Sequence, residues 1–197
     1  ILTDFFERSN EIKDDKKAEC FFIEGKRLIE EAFVSGFELN HIIYVEGTEL
    51  MGSKYTSSEI FLPLKLFNGI ADTVSSQGVI GVVKKSNLTI SDLDKQGEKL
   101  VLIANRLQDP GNLGTIIRTA AAAGADAVIL TKGTVNLYNS KVIRSTMGSI
   151  FQIPIITEMD NQVLLKWLKK EEFNILVGDT AGSSYYYSVN MTTSTAI

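Results

Sequence analysis

The stretch ANRLQDPGNLGTIIRTAAAAG, residues 104–124, decides how the chain reads. It leaves an apolar strand, KLVLIA, through a polar loop with a rigid Asp109-Pro110-Gly111 turn, then becomes helical. Asn112 is expected to cap a helix that starts at Leu113, because a short polar side chain there satisfies an amide of the first turn. Leu113, Ile117, Ala120 and Ala121 form the expected buried face. Arg118 lies one turn beyond Gly114, and helical side chains lean toward the N-terminus. With no side chain at Gly114 in the way, Arg118 is expected to reach back toward Asn112 and the open amides of the first turn. That arrangement suits an anion such as an RNA phosphate.

Regular alternation follows the stretch. After Gly124 come the strand AVIL, a loop over 131–138, a helix over about 139–150, the strand IPIIT, a helix over about 161–171 and the strand NILVGD. Strands that are continuously apolar and separated by helices indicate a parallel sheet covered on both faces. A second candidate lies at VNLYNSKVIRSTMGSIFQIPII, residues 135–156. Asn139 or Ser140 is placed to cap a helix carrying Lys141, Arg144 and Ser145, with Gly148 and Ser149 permitting close backbone approach. Read without function, it is an amphipathic helix packed through Val142, Ile143 and Met147.

The first half is also α/β. A highly charged helix is expected over 7–17, then the strand ECFFIEG, the helix KRLIEEAFVSG, the strand LNHIIYVEG, a turn-rich stretch over 48–60, the helix LKLFNGIAD and the buried strand GVIGVV. Arg8, Lys13, Lys16, Lys17, Lys26 and Arg27 alternate with acids, so a solvated face is favoured over phosphate contact. Residues 84–99 read as a polar linker.

Composition narrows the class. At 197 residues with 44% hydrophobic and 22% charged residues, the chain is globular and long enough for one large or two small domains. One cysteine and one histidine exclude a disulfide scaffold and a zinc cluster, and point to a reducing compartment and no metal. Cys20 is read as a packing residue and His41 as a surface one. No run approaches the ~20 apolar residues of a membrane span, so a cytoplasmic protein is expected. P-loop, dinucleotide and hydrolase-elbow motifs are all missing. The net charge of −4 speaks against RNA, but its distribution does not. Residues 1–100 hold 12 basic against 17 acidic side chains, whereas residues 101–157 hold five against two.

The run NRLQDPGNLGTIIRTAAAAGADAVIL resembles the first motif of the SpoU/TrmH-type RNA 2'-O-ribose methyltransferases of the SPOUT superfamily, and SKVIRSTMGSIFQIPI resembles their second. KKAECFFIEGKRLIEEAFVSG and ADTVSSQGVIGVV are similar to the opening and close of that family's RNA substrate-binding domain. Ser76-Gln77-Gly78 departs from the family there, where proline commonly comes first. The resemblance implies an RNA substrate-binding domain over 1–90 and a parallel-sheet, trefoil-knot methyltransferase domain over 98–197. It also implies S-adenosyl-L-methionine as cofactor, a homodimer, and ribosomal rather than transfer RNA as substrate. Arg118 and Asn112 would be catalytic. Asn105, Arg106, Lys141, Arg144 and Ser145 would contact RNA, and Thr180, Ala181 and Gly182 the cofactor.

The family's third motif, a glycine- and glutamate-containing loop, is missing where NMTTSTAI ends the sequence. The chain begins at Ile1 rather than Met and stops in the β-prone STAI, so both ends are read as trimmed. Were the gene to end there, the cofactor pocket would be incomplete, and a non-catalytic RNA-binding or assembly protein would be the alternative. An unrelated small-molecule-binding α/β protein is a further one. Tyr185 to Tyr187 are expected to pack, with stacking on a base as the other reading.

Overall fold

The computed structural model describes residues 18–52, 54–55, 58–73, 75–93, 97–182 and 184–197. The charged helix expected over 7–17, with Arg8, Lys13, Lys16 and Lys17, lies outside the described residues. The structure divides into two compact units, residues 1–86 with 136–152, and residues 87–135 with 153–197.

The first unit is built on a mixed four-stranded sheet. Strand β1 (Cys20–Glu24) pairs antiparallel with β4 (Val79–Lys84), β4 antiparallel with β2 (Leu39–Val45), and β2 parallel with β3 (Glu59–Leu62). Helices α1 (Lys26–Val34) and α2 (Leu64–Ile70) connect them. β4 is central and buried over five consecutive residues, as its unbroken apolar run predicts. Ile43, Leu62, Phe67, Ile70, Ile80 and Val82 form the core. β3 falls at the end of the stretch read as turn-rich. Four residues, EIFL, are too few to show a period, and pairing with β2 creates the strand. His41, expected at the surface, is half-buried in β2.

Residues 136–152 belong to this unit. Their helix α4 (Ser140–Thr146) stops four residues before the expected end. Met147 and Gly148 are left-handed, with φ of 52° and 96°, and a 3-10 turn follows over Ser149–Phe151. Gly148 is required twice over, since a side chain disfavours that φ and a Cβ would overlap the Glu31 carboxylate. Val142 and Ile143 are buried as expected, whereas Met147 is 56% exposed. Aromatic contacts in this unit include Phe21 with Tyr138 at 4.5 Å and Phe37 with Phe151 at 5.0 Å.

The second unit carries a five-stranded parallel sheet in the order β7-β6-β5-β9-β8. Its elements are β5 (Leu100–Ala104), α3 (Pro110–Ala122), β6 (Ala127–Thr131), β7 (Ile155–Met159), α5 (Asn161–Lys170), β8 (Asn174–Ile175) and β9 (Thr195–Ala196). The expected six-residue strand NILVGD is reduced to two residues, because β9, its neighbour among the described residues, is itself two residues long. Val101, Ala127, Ile129, Ile156, Leu164, Leu168 and Ala196 make the core. Leu88, Ile90 and Leu93 pack against it, and Thr89 and Asp92 close a capping box around a short 3-10 turn. Residues 88–93, read as linker, therefore belong to the fold. No helix among the described residues is long and apolar enough to cross a membrane.

Ile129 is fully buried and Leu165 is 48% exposed. Ile129→Ala is expected to cost about 2–5 kcal/mol in urea unfolding, against under about 0.5 kcal/mol for Leu165→Ala. Equal losses would contradict this core. Burial pushes the Tyr138 phenol up to about 12, opposed by a hydrogen bond with the Ser86 backbone. A raised folded-state pKa means stability present below the unfolded value of 10.0 and lost as pH climbs toward 12. Alkaline unfolding of Tyr138→Phe is expected to lack this component.

Candidate active site

In a parallel α/β sheet, ligands bind beyond the carboxyl ends of the strands, where loops bring together side chains distant in sequence. Here the loop after β5 is tied down by its neighbours. The Thr134 hydroxyl donates to the Ala104 carbonyl at 3.0 Å, and the Val135 amide to the Leu107 carbonyl at 2.8 Å. The buried Thr131 hydroxyl, at the last residue of β6, accepts from the Arg106 amide at 3.0 Å and donates to Asn105 Oδ1 at 2.9 Å. Asn161 Nδ2, at the start of α5, donates to the same Asn105 oxygen at 3.3 Å. Gln108 Nε2 donates to the Arg106 carbonyl at 3.1 Å and also to the Gly133 carbonyl. Arg106 is left-handed, with φ of 53°, an unusual state for a non-glycine residue.

Helix α3 begins at Pro110, and its N-cap is Asp109, whose carboxylate accepts from the Asn112 amide at 2.7 Å. This corrects the expected cap. Proline's fixed φ and missing N–H suit the first helical position, which moves the start three residues earlier and places Asn112 inside the first turn. The Asn112 amide is therefore occupied, and Asp109 brings negative charge to the helix N-terminus. Cationic capacity in this loop and helix lies with Arg106 and Arg118, both exposed. Leu113, Ile117 and Ala120 are buried as the expected face requires, Ala121 is half-buried, and Gly114, expected on the side of Arg118, is buried as well. The Asn112 side chain is exposed.

The neighbouring loops complete this edge. Lys132 Nζ lies 3.6 Å from Asp160, which caps α5. The Val163 and Gln162 amides, with Lys132 adding, hold the Asp160 carboxyl below its ordinary value. After β8, Asp179 Oδ1 accepts from the Ala181 amide at 2.8 Å, and the Gly182 amide donates to the Asp179 carbonyl at 3.1 Å. Thr180, Ala181 and Gly182 are exposed on that turn.

The other expected contacts stand in the first unit. Asn139, rather than Ser140, caps α4, accepting from the Lys141 amide at 2.9 Å. Lys141 and Arg144 are exposed, and the Ser145 hydroxyl donates to the Lys141 carbonyl at 2.7 Å. Arg144 lines a groove with Phe22, Glu24, Leu28 and Asp72. Thus Asn105, Arg106, Asn112, Arg118 and the 180–182 turn lie in one unit, and Lys141, Arg144 and Ser145 in the other. Tyr185 and Tyr187, expected to pack, are 69% and 71% exposed and stack on each other at 5.2 Å. Gln108, Thr131 and Asn161 were not legible as site residues; a threonine ending an apolar strand gives no signal until the loops meet.

A parallel sheet with a latched polar loop and a capped helix at its carboxyl edge defines an α/β protein of the class whose ligands bind beyond the carboxyl ends of the strands. The model of the SpoU rRNA Methylase family matches residues 99–197, and the chain belongs to that family. The MRM3-like substrate binding domain matches residues 10–81. The chain is 36% identical over 145 residues to the 23S rRNA (guanosine(2553)-2'-O)-methyltransferase RlmP of Bacillus subtilis, covering 73% of this chain and 56% of that protein. It is 34% identical over 183 residues to mitochondrial rRNA methyltransferase 3 of Mus musculus, covering 88% of this chain and 43% of that protein. The chain thus spans about half the length of these relatives. The crystal structure of AdoMet-bound rRNA methyltransferase from Sinorhizobium meliloti superposes with a TM-score of 0.85 at 26% identity, covering all of this chain and 77% of that one.

The left-handed Arg106 yields a stability prediction. Arg106→Gly removes the conformational penalty and is expected to raise unfolding stability by up to about 1 kcal/mol, offset in part by the glycine's unfolded-state entropy. Measured destabilisation above that size would mean that Arg106 packing outweighs its strain.

Proposed function

We propose that the protein transfers a methyl group from S-adenosyl-L-methionine to a ribose 2'-hydroxyl of ribosomal RNA. The observation that carries this reading is α3 of the family-matched unit, which presents Asn112 and Arg118 from a helix packed through Leu113, Ile117 and Ala120. Support comes from relatives named as rRNA 2'-O-methyltransferases and from the AdoMet-bound neighbour. These also favour ribosomal over transfer RNA.

When bound, S-adenosyl-L-methionine supplies an electrophilic methyl carbon. The polar turn Thr180-Ala181-Gly182 fits such a ligand by position, being exposed and at the carboxyl end of β8, and would hold part of it. A guanidinium is a donor without a lone pair to act as a base, so the role of Arg118 is to stabilise the negative charge that develops on the 2'-oxygen. Asn112 orients the ribose or Arg118, and catalysis is dominated by placing a weak nucleophile in line. Asn105, Arg106, Lys141, Arg144 and Ser145 contact the RNA. The working form in this reading is a cytoplasmic homodimer with a trefoil knot through the second unit.

Arg118→Ala in the full gene product tests the assignment, with transfer of labelled methyl groups to a 23S rRNA fragment containing nucleotide 2553 as the readout. Transfer is expected to fall about 100- to 1,000-fold, with S-adenosyl-L-methionine affinity by calorimetry and thermal stability unchanged. Undiminished transfer sinks the role of Arg118.

A further inference from the structure

The structure assigns Thr131 as a positioning residue: its buried hydroxyl holds the 105–109 loop so that Arg106 is presented, pre-set, to an RNA phosphate. This rests on the reading of the sheet's carboxyl edge as the face that meets RNA.

Thr131 is 1% exposed, and its single side-chain oxygen serves two consecutive residues of the loop that projects Arg106. It accepts from the Arg106 amide and donates to the Asn105 side chain. The two bonds use the hydroxyl as acceptor and donor at once, which serine can reproduce and valine cannot. The Arg106 backbone is meanwhile left-handed, a conformation that persists only where the surroundings over-determine it. Gln108 supplies the second restraint, since its amide group bridges the Arg106 and Gly133 carbonyls. The side chain is steered as well. Gly133 has φ of 86°, and a Cβ there would meet Arg106 Cγ and Nε at 3.7 Å, so the stem of Arg106 lies along the 131–135 loop.

Arginine has many rotamers, and ordering it on a phosphate costs conformational entropy. Fixing its backbone by two side-chain latches and its stem against a glycine removes part of that cost before RNA arrives. Thr131 and Gln108 touch no substrate in this scheme and act through Arg106.

The test uses the full chain and the 23S rRNA fragment named above, with affinity followed from about 50 to 200 mM salt. Arg106→Ala is expected to reduce the slope of log affinity against log salt by about one, the loss of one phosphate contact. Thr131→Val is expected to give the same reduction with Arg106 still present, Thr131→Ser to restore the parent slope, and the double variant to lose no more than either single one. Gln108→Ala removes the exposed latch, and decides the matter by the same reduction should Thr131→Val fail to fold. If Thr131→Val, or in that event Gln108→Ala, keeps the parent slope while Arg106→Ala loses it, the positioning role is overturned and the RNA contact stands. If Arg106→Ala itself keeps the parent slope, the contact falls and the positioning role with it.

Discussion

The second unit depends on a two-residue strand. Thr195 and Ala196 enter the sheet between β5 and β8, so a segment from the far end of the chain joins two strands that would otherwise have no partner between them. The Thr195 amide donates to the Lys99 carbonyl, the Ile197 amide to Val101 and the Ile103 amide to Ile197 on one side, while the Asn174 and Leu176 amides donate to Ser194 and Ala196 on the other. Ala196 is fully buried in the core with Val101 and Ile129. A strand inside a sheet covered on both faces is apolar, and alanine meets that need.

With that sheet in place, the carboxyl ends of β5 and β6 can be joined by side chains rather than by chain connectivity. The Asn105 oxygen accepts from Thr131 of β6 and Asn161 of α5, so two elements converge on one acceptor in the loop after β5. A hydrogen bond to a buried hydroxyl matters because leaving either partner unmet in the interior costs more than the bond itself contributes. The loop is thereby held in one conformation although most of its side chains face water. This rigidity, rather than an open helix terminus, is what the edge offers a ligand, since Asp109 already occupies the first-turn amide of Asn112.

Much of this was legible in the residues. Continuous apolar runs in KLVLIA, AVIL and IPIIT announced the parallel strands, and the apolar spacing of Leu113, Ile117 and Ala120 placed the buried face of α3. Local signals with two readings were resolved differently. Asp109 and Asn112 are both good caps, and Pro110 decides for Asp109 because it fits only the first helical position. Tyr185 and Tyr187 look like core residues by type, yet they stack on one another in the open.

The sequence by itself determined the class of the protein: alternating strands and helices, two α/β regions, and motifs specific enough to carry the family resemblance. These properties are local, set by periodicity, capping chemistry and fixed spacing. Tertiary structure alone decided where Thr195-Ala196 pairs, that residues 88–93 pack against the second core, that residues 136–152 join the first unit, and that Thr131 braces Arg106 while Gln108 reaches across to Gly133. Each depends on contacts between residues far apart in the chain, whose partners are not encoded in any local pattern.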